Sequence, residues 1–140
     1  MEIPKGSDIK DIRLRRQIIR DFYARWVAEN PDKVIWNASM RINIHVKFSS
    51  LNEVLGHAPR SYESTYAFTQ LTEILKNAEY VKSILPKHNN QNQKIFSKIS
   101  ILRWRQYRVL VGHQRSTGDT MLYYIGGGAH KKEKPPGSDF

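Results

Sequence analysis

The stretch Asn52-Glu53-Val54-Leu55-Gly56-His57-Ala58-Pro59-Arg60-Ser61 brings a carboxylate, an imidazole, a guanidinium and a hydroxyl close together, and Ser64 follows. These groups suit cleavage of RNA without a metal. In that reaction the substrate's own 2′-hydroxyl attacks the phosphorus, so the protein need only move protons and stabilise the charged phosphorane. His57 is the leading candidate for acid or base. If 53–57 is helical, Glu53 lies one turn before His57 and can orient it. Arg60 would hold phosphate, and Ser64 would orient or donate. A surface histidine beside a capping serine is the competing account. His45 lies on a polar strand face between Asn43 and Lys47, and His113 is followed by Arg115 near the end of another strand. Each of the two also reads as an ordinary strand polar residue. His88 and His130 fall in a loop and a tail and are discounted.

Much other chemistry is excluded. Cysteine is absent, which removes disulfides, thiol catalysis and cysteine-ligated metals. No two histidines stand at i, i+3 or i+4. There is no phosphate-binding glycine loop, HExxH, EF-hand or GxSxG pattern. No cofactor or metal is therefore expected. No apolar run is long enough for a membrane helix, and no signal peptide is read at the N-terminus, so a cytoplasmic protein without a membrane partner is expected.

The elements that would position these residues follow from periodicity. Ser7 and Asp8 open a helix over about 8–29, with Ile12, Ile19, Phe22, Tyr23 and Trp26 on one stripe and Asn30-Pro31 as its stop. Met40, Ile42, Ile44, Val46 and Phe48 alternate with polar residues, which predicts a strand. Residues 49–60 form a polar connector. A second helix starts near Ser61, with a core stripe of Ala67 or Phe68, Leu71, Ile74, Leu75 and Ala78. Tyr80-Val81 can be a short edge strand. A three-stranded meander follows over about 95–104, 107–113 and 120–125, turning at Arg105-Gln106 and at Ser116–Asp119, where Gly118 is free to take positive φ. The expected class is α+β: two helices packed on one face of a mainly antiparallel sheet of four to five strands, the other face open. Residues 1–128 would be one domain and 129–140 a disordered tail.

The chain carries 23 Lys and Arg against 13 Asp and Glu among its 140 residues, a net charge of +10. Residues 80–118 hold eight of the bases and no acid. Such a segment favours a polyanion through counterion release. Lys94, Lys98, Arg103, Arg105 and Arg108, with His45 and Lys47, are the expected nucleic-acid contacts on the open face. Trp104 and Tyr107 could stack on bases or simply pack their hairpin. Tyr123 and Tyr124 alternate, so one of them should face the open side.

The order of elements, with Ile44-His45-Val46-Lys47-Phe48, Asn52-Glu53, His57-Ala58, Tyr62-Glu63-Ser64-Thr65 and Asn90–Lys98, resembles the barnase–EndoU–colicin–RelE-like nuclease superfamily (the BECR fold), in particular its phage and conjugative-element domains. The likeness spans about 34–125. It implies a metal-independent, toxin-like ribonuclease. The meander has no glutamate for a barnase-type base. That leaves His57 with Arg60, Ser64, Arg115 and Tyr123 as the catalytic set, or a site built from basic and tyrosine residues. The partner would be RNA, with an acidic antitoxin or immunity protein as a further one. Two alternatives stay open: a non-catalytic nucleic-acid-binding module, and a basic domain that docks an acidic protein.

Overall fold

The computed structural model describes residues 2–87 and 89–127. The proposed tail 129–140, His88 and His130 lie outside the described residues. Helix α1 (Ile9–Glu29) begins where the Asp8 carboxylate accepts the Asp11 N–H, and ends at Asn30 before Pro31. Its buried stripe contains Ile19, Tyr23 and Trp26, as the spacing predicts, and also Arg15.

Strands β1 (Val34–Asn37) and β2 (Ile42–His45) form a hairpin. The alternation over 40–48 correctly reports which side chains go inward, since Ile44 and Val46 are fully buried. It overstates the strand. The chain turns at 38–41, with Arg41 in the left-handed region, and helix α2 (Phe48–Leu55) starts at Phe48, leaving that ring 66% exposed. A short 3-10 turn (Ala58–Arg60) leads to α3 (Tyr62–Thr69), capped by the Ser61 hydroxyl, and then to α4 (Leu71–Asn77). The expected second helix is thus two helices, broken at Gln70. Its core stripe is buried as read.

Strands β3 (Glu79–Ile84), β4 (Phe96–Trp104), β5 (Tyr107–Gln114) and β6 (Thr120–Gly127) complete a six-stranded mixed sheet in the order β1-β2-β6-β5-β4-β3. Every pairing is antiparallel except β2 with β6, which run parallel through Ile44–Thr120 and His45–Met121. Among the described residues, the expected four- to five-stranded, two-helix layout is thus corrected to six strands and four α-helices. The sheet curls: the Tyr80 N–H on β3 donates to Ser39 Oγ (2.9 Å), just past β1 at the opposite edge. The Asn37 amide joins the two as well, donating to the Leu75 and Ala78 carbonyls at the end of α4 (2.8 Å each).

The helices cover one face of the sheet, and Leu102, Val109, Val111, Leu122 and Ile125 join their core. The other face is not open, which corrects the second expectation. Phe96, Ile99, Ile101, Leu110, Met121, Tyr123 and Tyr124 form a second core, each at most 6% exposed. The Phe96 ring lies over Gly112, where an added Cβ would collide with it, and meets Tyr123 edge-on at 5.5 Å. Gln93, itself buried, reaches across to bond Tyr123 and accepts the Lys87 N–H (2.7 Å), so the connector before β4 folds onto this face. Alternation places Tyr123 and Tyr124 on opposite sides, yet both enter the second core. The cause is an irregularity in β6: Leu110 pairs with Tyr124 and Val111 with Leu122, so Tyr123 is the extra residue of a bulge.

Candidate functional site

Cross-strand partners and residues two apart share a face of the sheet. On the helix-covered face, the polar positions of β3 to β6 line up beyond the apolar core. Tyr80 Oη meets Ser83 Oγ at 2.9 Å, and Ser83 Oγ meets Ser100 Oγ at 2.9 Å. Ser100 Oγ reaches His113 Nε2 at 2.8 Å, and His113 Nδ1 reaches Thr120 Oγ1 at 3.0 Å. One continuous line of hydrogen bonds therefore crosses four strands. It runs from Tyr80, 45% exposed on the sheet edge, to Ser100 and Thr120, which are buried. A neutral imidazole has one N–H and one lone pair, so one flanking hydroxyl donates to the ring and the other accepts from it. Partial burial, and then the charge of Lys98, push His113 below its ordinary value. Lys98 is its cross-strand partner on β4. The ring is thus neutral near pH 7, held on both sides, and next to a cation.

The opposite face carries a second polar group at the same end of the sheet. Lys47 Nζ donates to Asp119 Oδ2 (2.8 Å) and to Gln114 Oε1 (3.0 Å), and His45 Nε2 lies 3.7 Å from Asp119 Oδ1. The hydrogen bond from Lys47 is the main cause that lowers the Asp119 pKa. His45 is the register partner of Met121, and His113 that of Thr120. The two histidines therefore point to opposite sides of the sheet and cannot share one phosphate as an acid–base pair.

His57 has a different setting. Its Nδ1 is 3.1 Å from the Glu53 carbonyl and its Nε2 3.4 Å from the Ile125 carbonyl. Its ring stacks on Tyr124 at 4.3 Å. Burial lowers its pKa to about 4; Arg60 adds to this, and the two carbonyls oppose it. The backbone of Glu53, not its carboxylate, meets the imidazole. His57 joins the end of α2 to β6. Ser64 is fully buried in α3, where its N–H donates to Ser61 Oγ. Tyr123 is buried in the second core, and burial first, then the nearby Glu53 charge, raise its pKa.

Arg115 sits in the β5–β6 turn, its Nε donating to the Lys94 carbonyl (3.3 Å). It lies at the Thr120 end of β6, whereas His57 contacts Ile125; five residues of strand span roughly 16 Å at ~3.3 Å each. The structure therefore does not gather His57, Arg115 and Tyr123 in one cleft. Nor do the basic residues of 80–118 gather at one place on the sheet. Lys94, Lys98 and Arg115 sit at the His113 end. Arg103 and Arg108, paired across β4 and β5, and Arg105 sit at the other end, where the Arg105 guanidinium lies 4.3 Å from the Trp104 ring centre.

Sequence reasoning missed Ser83, Ser100, Thr120, Tyr80 and Asp119, and it weighed His113 without selecting it. A signal existed. Ser100 interrupts the run Ile99-Ser100-Ile101-Leu102 at the parity of the helix-side core, where an apolar residue is expected.

Among the described residues, no group of three His, Asp or Glu side chains is placed to hold a metal ion, and no helix is long and apolar enough to cross a membrane. Residues 15–123 match a family described as Large polyvalent protein-associated domain 3. No curated protein and no solved structure matches the chain.

Proposed function

The chain belongs to the Large polyvalent protein-associated domain 3 family, and from that premise we propose that it is a metal-independent ribonuclease of a phage or mobile element, with His113 at its centre. The observation that carries this reading is the bonded line Ser83–Ser100–His113–Thr120 with Lys98 beside it. A neutral imidazole accepts a proton, and a lowered pKa keeps it neutral at working pH. The proton of the RNA 2′-hydroxyl reaches His113 by relay: the substrate hydroxyl gives its proton to Ser83 Oγ at the exposed part of the line, Ser83 passes its own to Ser100, and Ser100 passes its own to the Nε2 lone pair. Lys98 stabilises the charge on the phosphorane. Ser100 and Thr120 hold the ring's orientation and tautomer, as an orienting group does for a catalytic histidine elsewhere. The departing 5′-oxygen takes a proton from solvent at the open end of the line, and a 2′,3′-cyclic phosphate remains. The resemblance to the BECR nucleases supports the same chemistry. His57 fits it less well, because its nitrogens face backbone carbonyls, which have no proton to pass on as a hydroxyl does.

The test is incubation of the purified chain with single-stranded RNA in EDTA, wild type beside His113→Asn and His45→Ala. His113→Asn keeps a polar side chain in the line and should lower the rate about 10²–10⁴-fold, the usual contribution of a positioned acid or base. His45→Ala should cleave at close to the wild-type rate. Equal rates for wild type and His113→Asn would remove His113 from the chemistry. RNA binding without cleavage at any protein concentration would replace the nuclease reading with a binding module.

A further inference from the structure

A groove of about 440 Å³ runs between the segment before α1, α1 itself and α3. It lies apart from the His113 line. Its apolar wall is aromatic: Tyr62 and Tyr66, one turn apart on α3, stack with centroids 6.1 Å apart and planes 14° from parallel, and Phe22 of α1 faces the same space. Tyr66 is 38% exposed. Lys5 Nζ stands 5.1 Å from the centre of the Tyr62 ring, and Arg25 lines the α1 side. Two acids also line the groove, Glu2 and Asp21, the latter accepting from the Gln17 amide (2.8 Å).

The aromatic surface continues beyond the groove. Tyr107 at the start of β5 lies within electrostatic reach of Tyr66 and Tyr62, and it stacks with Trp104 at 6.4 Å. Arg105, the residue with positive φ in the β4–β5 turn, covers Trp104. Tyr62, Tyr66 and Trp104, joined through the buried ring of Tyr107 (8% exposed), therefore form a strip flanked by Lys5, Arg25 and Arg105. Rings interleaved with cations match the two repeating parts of an unpaired polynucleotide, base faces and phosphates. A duplex hides its base faces and gains nothing from such a strip. Tyr107 and His113 are six residues apart on one strand, roughly 20 Å at ~3.3 Å per residue, so the strip is a separate contact.

We propose that this strip is a docking site for single-stranded nucleic acid, with bases stacked on Tyr66 and Tyr62 and phosphates held by Lys5, Arg25 and Arg105. It deepens the ribonuclease reading by giving the substrate strand a hold remote from the cleavage centre, and it rests on that reading for its biological sense. Its test does not depend on cleavage. A fluorescent oligodeoxythymidylate of twelve nucleotides has no 2′-hydroxyl and cannot be cut by transesterification.

Its binding to the full chain is measured by anisotropy over a range of salt, with thymidine monophosphate and a twelve-base-pair duplex as competitors. Tyr66→Ala should weaken binding about 5- to 100-fold, and Tyr66→Phe, which keeps the ring, should bind like wild type. Arg25→Gln should flatten the salt dependence by about one phosphate's share, ~0.7 in log–log slope. The duplex and the monophosphate should both compete poorly. Circular dichroism confirms that each variant is folded. Binding by Tyr66→Ala within twofold of wild type overturns the proposal, as does a duplex that competes as well as the single strand. The two readings fail separately. Oligodeoxythymidylate binding without RNA cleavage leaves the strip standing and removes the nuclease. RNA cleavage without oligodeoxythymidylate binding removes the strip alone.

Discussion

Lowering the pH should destabilise the protein through His57 by an amount the structure sets. In the unfolded chain this imidazole titrates near its ordinary value of 6.5, and in the folded chain burial between Tyr124 and the α2 end lowers the value to about 4. The direction follows. Above pH 6.5 both states hold a neutral ring and His57 gives no pH dependence. As the pH falls below 6.5 the unfolded chain binds a proton that the folded chain refuses, so stability falls with pH until about 4. At ~1.4 kcal/mol per unit, His57 alone costs about 2.5 kcal/mol by pH 4.5. That is a large part of the ~5–15 kcal/mol that holds a typical domain together. The assay is urea denaturation followed by circular dichroism at pH 7.0, 6.0, 5.0 and 4.5, wild type beside His57→Phe. The phenyl ring keeps the stack on Tyr124 and cannot titrate. It gives up the one carbonyl hydrogen bond that a neutral ring can donate, so the variant should start about 1 kcal/mol less stable at pH 7. His113, lowered in the same way, and Glu53, raised by burial, titrate in both proteins and largely cancel in the difference. Wild type should lose about 2.5 kcal/mol more than His57→Phe between pH 7.0 and 4.5. Equal losses in the two proteins would refute the account of His57 as a partly buried ring kept neutral by its desolvation.

Further outcomes follow from the same geometry. If His113 is the base, kcat/KM for RNA cleavage should fall as the pH drops through the lowered pKa of its ring, so the acid limb should lie below 6.5; a limb at or above 6.5 would count against burial and Lys98 as the controlling influences. Gly112→Ala should destabilise the fold by about 1–3 kcal/mol in urea titration, because the new methyl meets the Phe96 ring in a closely packed face; an unchanged midpoint would show that this ring moves freely.

How far the sequence can be read depends on whether each signal is local. Alternation and turn chemistry are local, and they locate the meander to within a residue or two. They also identify Gly118 as a positive-φ position and β3 as an edge strand. The first helix and the buried stripe of the second are equally plain, because 3.6-residue periodicity survives even where Gln70 breaks the helix in two. What defeats the reading is any feature that shifts parity or depends on a distant partner. The bulge at Tyr123 turns two neighbours to the same side, so counting alternate residues assigns one of them wrongly. The connector before β4 is polar in composition, yet Gln93 carries it across an apolar face that alternation alone leaves open to solvent. The chemistry is hardest of all. His57 stands among a carboxylate, a guanidinium and a serine in sequence, and in space it meets two backbone carbonyls and a tyrosine ring. His113 has no striking sequence neighbour except Arg115. Its partners Ser100 and Thr120 come from the two adjoining strands, and only the register of β4, β5 and β6 brings the three together. Nearness in sequence therefore points to the histidine held between backbone carbonyls, and nearness across the sheet points to the one held between hydroxyls. A serine inside an apolar strand, at core parity, is the mark in the sequence from which that second kind of neighbourhood can be sought.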